Sequence, residues 1–97
     1  MRIINRRLLD NFTTKHADAT KPIERWIGYI ENSNISNHND LKMVFPSADY
    51  VGKSRYVFNI KGNDYRLVVV VVFMDNNAFV RFAGTHAEYN KIDCVTI

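Results

Sequence analysis

The stretch "YRLVVVVVFM", Tyr65 to Met74, narrows the possible folds more than any other part of the chain. Five consecutive valines are β-branched and poor helix formers. A run this short cannot span a bilayer as a helix. It reads as a strand buried on both faces, at the centre of a sheet. A charge then sits inside it. On the alternation rule, Arg66 shares a face with Val68, Val70 and Val72. Such a cation needs a partner, an open cleft, or a place at the strand end where its head reaches water.

The flanking segments supply neighbours for that strand. "SRYVFNI" alternates, with Tyr56, Phe58 and Ile60 on one face. "KGND" is a tight turn in which Gly62 and Asn63 can take positive φ. "AFVRFAG" follows the turn "DNN" as a third strand, and adjacency makes the three a meander. Upstream, "MRII" reads as a short first strand. Leu8, Leu9, Phe12 and His16 recur at helical spacing, so a helix runs to about Ala17. Ile23, Trp26, Ile27 and Ile30 predict a second helix, with Pro22 in its first turn and Thr20 or Lys21 at its cap. "HNDLKMVFP" holds a helical turn that Pro46 ends. The expected architecture is α+β, with helices on one face of an antiparallel sheet and a short terminal helix. At 97 residues, one domain is expected over residues 1–97.

Charge and cysteine content bound the function. A net charge of +3 favours an acidic partner such as RNA, DNA or an acidic protein. One cysteine, Cys94, excludes an internal disulfide, and no export signal is apparent, so a cytoplasmic location is expected. One cysteine and three separated histidines give no zinc-spaced ligand set, so no metal and no other cofactor is expected. Paired carboxylates for glycoside chemistry, a Gly-rich phosphate loop and a nucleophile elbow are all missing.

The candidate chemistry lies in "GTHAEYNK". Thr85 and Glu88 have the T-x-x-E spacing of a capping box, which starts a helix. His86 is then the first helical residue. The positive end of the helix dipole there favours the neutral imidazole that a general base needs. Free amides of that first turn would also attract a phosphate. Tyr89, three residues on, lies on the same side, where it can stack on a base, bind a phosphate or pack on the sheet. Lys91 reads as a solvated charge. Lys53, Arg55 and Arg81 could converge with Arg66 on one sheet face, or be plain surface charge. Metal-free RNA cleavage needs a base for the 2′-hydroxyl proton, cations at the phosphorus and an acid for the departing oxygen. His, Arg, Lys and Tyr are the right residue types.

Three segments, "VFPSADYV", "YVFNIKGNDYRLV" and "THAEYNK", occur in this order and spacing, between Leu41 and Lys91. Together they resemble the HigB-type toxins of bacterial type II toxin–antitoxin modules, which are similar to RelE-like mRNA interferases. The pair "GNDYRL" and "THAEY" is the most specific part. The resemblance implies an endoribonuclease that cuts mRNA on the translating ribosome. It implies Arg66 on the phosphate, His86 as acid or base, Tyr89 on the substrate and Lys91 as a further cation. Lys53, Arg55 and Arg81 would be RNA-binding, with Thr85 and Glu88 building the helix that supports the site. It also implies a cognate helix-turn-helix antitoxin of the HigA-like kind and no membrane partner. Relatives commonly carry Asp after the tyrosine, where this chain has Asn90. Beside the ribonuclease stand two other readings: a non-catalytic module that sits on RNA or the ribosome, and a degenerate toxin kept as an antitoxin partner.

Overall fold

The computed structural model describes residues 1–97. Strand β1 (Arg2–Ile4) leads into α1 (Arg6–Lys15), a 3-10 turn (Ala17–Ala19), α2 (Thr20–Asn32) and α3 (His38–Val44). The chain then forms β2 (Asp49–Gly52), β3 (Arg55–Ile60), β4 (Tyr65–Val72), β5 (Asn77–Thr85) and the one-turn helix α4 (His86–Tyr89). The five strands lie in the order β1-β5-β4-β3-β2, so the valine strand β4 is the middle one. The β3–β4–β5 meander is antiparallel as expected, while β1 joins the sheet in parallel beside β5. The fold is α+β, with the helices packed against the sheet. No helix is long and apolar enough to cross a membrane.

The core lies on the helix side of the sheet. Tyr65, Leu67, Val69 and Val71 of β4 are buried there, beside Tyr56, Phe58 and Ile60 of β3. The helices answer with Leu9 and Phe12 of α1, Ile23, Trp26 and Ile30 of α2, and Leu41 of α3. Aromatic edges lock the layers: Phe12 meets Tyr65 at 5.2 Å and Trp26 meets Phe58 at 5.4 Å, both T-shaped. Each such side chain removed from water contributes about 1.5–3 kcal/mol. The opposite face differs from the expectation of full burial on both sides. Val57 and Val68 are buried there, but Arg66, Val70 and Val72 are only half-buried. The reason is that all three long helices pack on one face. The other is covered only by α4 and the residues after it.

Local geometry corrects two further expectations. The α2 helix has no Thr20 or Lys21 cap, because the preceding 3-10 turn already carries a helical backbone into it and Ala19 stands at the N-cap. Pro22 does fall in the first turn. In the β3–β4 turn, positive φ falls on Lys61 (53°) and Gly62 (64°), not on Asn63. The chain reverses directly after Ile60, which pairs with Tyr65, so the first turn residues must bend. Asn5 also takes a left-handed backbone (φ 71°) between β1 and α1, and its side chain donates to the Val80 carbonyl of β5 at 3.1 Å. Asparagine tolerates that conformation better than most residues.

One polar tie joins the helical layer to the sheet. The Asp18 carboxylate accepts from Lys61 Nζ at 2.6 Å and from the Tyr65 hydroxyl at 2.7 Å. The Lys61 bond first, and then the Tyr65 bond, hold this carboxyl below its ordinary range. The same bond to Asp18 holds the Lys61 ammonium above its ordinary range. A depressed carboxyl stabilises the fold above its unfolded value, near pH 4, and that contribution fades as pH falls through the folded value. A raised ammonium stabilises below about pH 10, and its share fades as pH rises through the folded value. The expected melting profile is therefore a plateau that drops at both ends. Asp18→Asn should give a small drop near neutrality, because the pair is solvent-screened, and that drop should fade as pH falls through the folded value. Thermal melts across pH on both proteins check this.

Candidate functional site

The alternation of β4 sends Arg66 away from the helices. It stands opposite Asn59 of β3 on one side and Gly84 of β5 on the other. No carboxylate lies within ion-pair distance of it. Its Nε is buried without a hydrogen-bond acceptor. The guanidinium lies over the Tyr89 ring, with Cζ 4.7 Å from the centroid. A cation–π contact of this kind orients the charge without neutralising it.

The strand β5 runs straight into α4, and the capping box makes that junction. The Thr85 amide donates to Glu88 Oε1 at 2.8 Å, and the Glu88 amide donates to Thr85 Oγ1 at 3.1 Å. The amide of Thr85 and the Thr85 hydroxyl hold the Glu88 carboxyl below its ordinary range. The helix this starts presents His86 and Tyr89 on one side, ring centroids 6.4 Å apart. Asn90 reaches back to His86, Nδ2 to Nδ1 at 3.3 Å. Tyr89 also meets Phe82 of β5 at 6.4 Å. Burial, and then a hydrogen bond with Cys94, push the Tyr89 phenol up, while Arg66 pulls the other way. The phenol therefore holds its proton at neutral pH and is available as a donor.

Two of the first-turn amides of α4, those of His86 and Glu88, are already engaged, so fewer are free for a phosphate than expected. The amides of Thr85 and Glu88 are used in the capping box, and the His86 amide donates to the Asp64 carbonyl at 3.4 Å. The positive charge at this site is that of Arg66.

The other cations do not converge. Arg55 shares the open face, yet its Nε (3.0 Å) and Nη2 (2.6 Å) donate to the Ile97 carbonyl and its Nη1 to the Lys53 carbonyl. The residues after α4 thus run back across this face towards the start of β3. Lys53 is exposed in the β2–β3 turn, with φ 49°. Arg81 is the extra residue of a β-bulge and points to solvent. Lys91 is exposed just past α4, its amide bonded to the Glu88 carbonyl at 3.1 Å. Only Arg66, His86 and Tyr89 form a compact group.

Three contributors to this geometry were missed in the sequence. Phe82 and Cys94 flank Tyr89 and carried no spacing signal. Gly84 did carry one, being a glycine inside a strand. A Cβ there would stand 2.6 Å from Phe82 Cζ and 3.0 Å from Glu88 Oε1.

With this geometry in view, relatives can be compared. Residues 19–92 match the family described as HigB_toxin, RelE-like toxic component of a toxin-antitoxin system. The mRNA interferase toxin HigB of Escherichia coli (strain K12) is 31% identical, over 98% of this chain and 93% of that protein. The mRNA interferase HigB of Shigella flexneri matches to the same extent. An mRNA interferase HigB of Escherichia coli O6:H1 is 25% identical, over 95% of this chain and 91% of its own length.

Gly84→Ala is expected to lower stability by about 1–3 kcal/mol through overpacking against Phe82 and the cap. Thr85→Ala should cost about 1 kcal/mol, the usual loss of an N-cap. Gly28→Ala, in α2 with nothing within 4 Å of the added methyl, should instead stabilise by about 0.4–1 kcal/mol. Urea unfolding of the three variants gives the comparison.

Proposed function

The chain belongs to the HigB family of RelE-like toxins of toxin–antitoxin systems, and from that premise we propose that it is an endoribonuclease that cleaves mRNA. The observation that carries the reading is the unpaired Arg66 guanidinium, oriented by the Tyr89 ring beside His86. A cation kept half-buried with no carboxylate partner is costly unless an anion visits it. The relatives named mRNA interferases make a phosphodiester the natural visitor.

In the reaction, His86 takes the proton from a ribose 2′-hydroxyl and the oxygen attacks the adjacent phosphorus. The bond to the 5′-oxygen breaks, that oxygen takes the proton of the Tyr89 phenol, and the proton held by His86 returns to Tyr89 through solvent at the end of the cycle. The products are a 2′,3′-cyclic phosphate and a free 5′-hydroxyl. Arg66 stabilises the charge that builds on the phosphoryl oxygens. Tyr89, protonated and next to Arg66, donates first a hydrogen bond and then that proton to the departing oxygen. Lys91 adds a further cation at the edge of the site. Lys53 and Arg81, exposed and without partners, hold flanking phosphates. Arg55 is tied to main-chain carbonyls, so its contribution is to anchor the segment after α4.

The reading extends to the setting. The toxin acts in the cytoplasm on mRNA held by the translating ribosome, and a HigA-like helix-turn-helix antitoxin neutralises it. The family's description as one component of a two-part system supports the antitoxin. Chain-wide positive charge suits an RNA-rich partner.

Mapping transcript 5′ ends after brief expression tests the chemistry. New 5′-hydroxyl ends inside coding regions are expected with the wild type. Arg66→Ala and His86→Ala should each reduce them by about 100-fold or more, with circular dichroism unchanged. A folded His86→Ala protein cutting at the wild-type rate removes His86 from the mechanism. Growth arrest without new ends in any sample points instead to a non-catalytic RNA-binding module.

A further inference from the structure

A second feature lies on the helix side of the sheet, towards the opposite end of β3 from Arg66. It is a hollow of about 430 Å³ lined by His38, Tyr50, Ser54, Tyr56, Val71 and Phe73. Tyr56 and Val71 are buried and form its floor. The walls are rings at open angles to one another. Tyr50 stands 5.1 Å from Tyr56, His38 stands 6.0 Å from Tyr50, and Phe73 stands 6.2 Å from Tyr56. Tyr50 is 53% exposed, beside the exposed His38 and Ser54 and above the buried Tyr56, so an apolar ring face is left open to solvent.

The walls are already set. His38 Nδ1 lies 2.6 Å from the Tyr56 hydroxyl, and the Tyr50 hydroxyl accepts from the Ser54 amide at 3.4 Å. A ligand ring entering the hollow therefore orders little that is not ordered before it arrives. Polar groups sit at the rim: the second ring nitrogen of His38 and the Ser54 hydroxyl. Lys53 is next to Ser54 in the turn at the sheet edge, exposed and without a carboxylate partner. Stacking faces, a few edge hydrogen-bonding groups and an adjacent free cation are the elements that hold a nucleotide of single-stranded RNA.

We propose that this hollow binds a nucleobase of the RNA substrate, stacked on Tyr50, with Lys53 on its phosphate. The inference rests on the ribonuclease reading and adds a base-selecting subsite to it. The scissile phosphate sits at Arg66 on one face, and the strand passes round the β2 edge at Lys53 to reach the hollow on the other. Aromatic stacking is tolerant of sequence, so the edge groups of His38 and Ser54 supply the selection.

The test uses the purified full-length protein and a short single-stranded oligonucleotide carrying 2′-O-methyl riboses, which lacks the attacking hydroxyl. Ring resonances of His38 and Tyr50, and separately of His86 and Tyr89, are followed during titration. The expected result is shifts at both sets. Tyr50→Ala should bind about tenfold or more weakly, Tyr50→Trp should restore affinity, and Tyr50→Leu should not. Shifts confined to His86 and Tyr89, with Tyr50→Ala at wild-type affinity, would overturn the subsite and leave the ribonuclease reading standing. Tyr50→Leu binding as well as wild type would also overturn it, since plain apolar contact, as with a protein side chain, would then suffice. An oligonucleotide that moves neither set would overturn the subsite, while the ribonuclease reading stands or falls on the transcript 5′ ends.

Discussion

The two-residue period of β4 is the constraint on which the rest depends. With Tyr65, Leu67, Val69 and Val71 against the helices, Arg66 has one place to go. A register slip of one residue would push that guanidinium into the apolar core and bring Leu67, Val69 and Val71 out to the opposite face. The cost of an unpaired buried charge runs to several kcal/mol, so the ladder with β3 and β5 is held in one register. The core therefore does more than stabilise the chain. It selects which side chains the opposite face can present.

What that face presents is organised by close contact, not by charge pairing. Gly84 lets Phe82 and Glu88 approach the β5 backbone, and Glu88 closes the cap on Thr85. The cap fixes the first turn of α4, which brings Tyr89 under Arg66. Removing an ion pair from this chain of contacts would change little, since none is there. Adding one methyl group at Gly84 disturbs every step.

Much of the fold was legible in the sequence because the signals were periodic. The alternation of Tyr56, Phe58 and Ile60 and the 3.6-residue spacing of Ile23, Trp26 and Ile30 each report which side faces the core, and each does. The capping box was legible because it depends on only four residues. Features set by tertiary placement were not. Whether β4 is covered on both faces depends on where three helices pack, which valine content does not encode. The parallel pairing of β1 with β5 joins residues far apart in the chain. Positive φ at Lys61 follows from where the hairpin closes, while the composition of "KGND" favours Gly62 and Asn63. In the candidate site, Arg66, His86 and Tyr89 were readable as a group. Arg55 and Arg81 were not separable from them, because a carbonyl partner and a β-bulge leave no mark in charge counts.

The pairing of β1 with β5 bears on how the protein comes into being. Ile3 waits for Ala78, so the first strand has no sheet to join until the fifth has been made. Asn5 repeats the delay, since its side chain is held by Val80. Contacts this distant in sequence are slow to form and come late. The residues grouped around Arg66 are completed by α4, which follows β5 immediately. A growing chain thus closes the β1 edge of its sheet and completes the group around Arg66 in the same final stage of synthesis, and a chain interrupted before Asn77 carries neither.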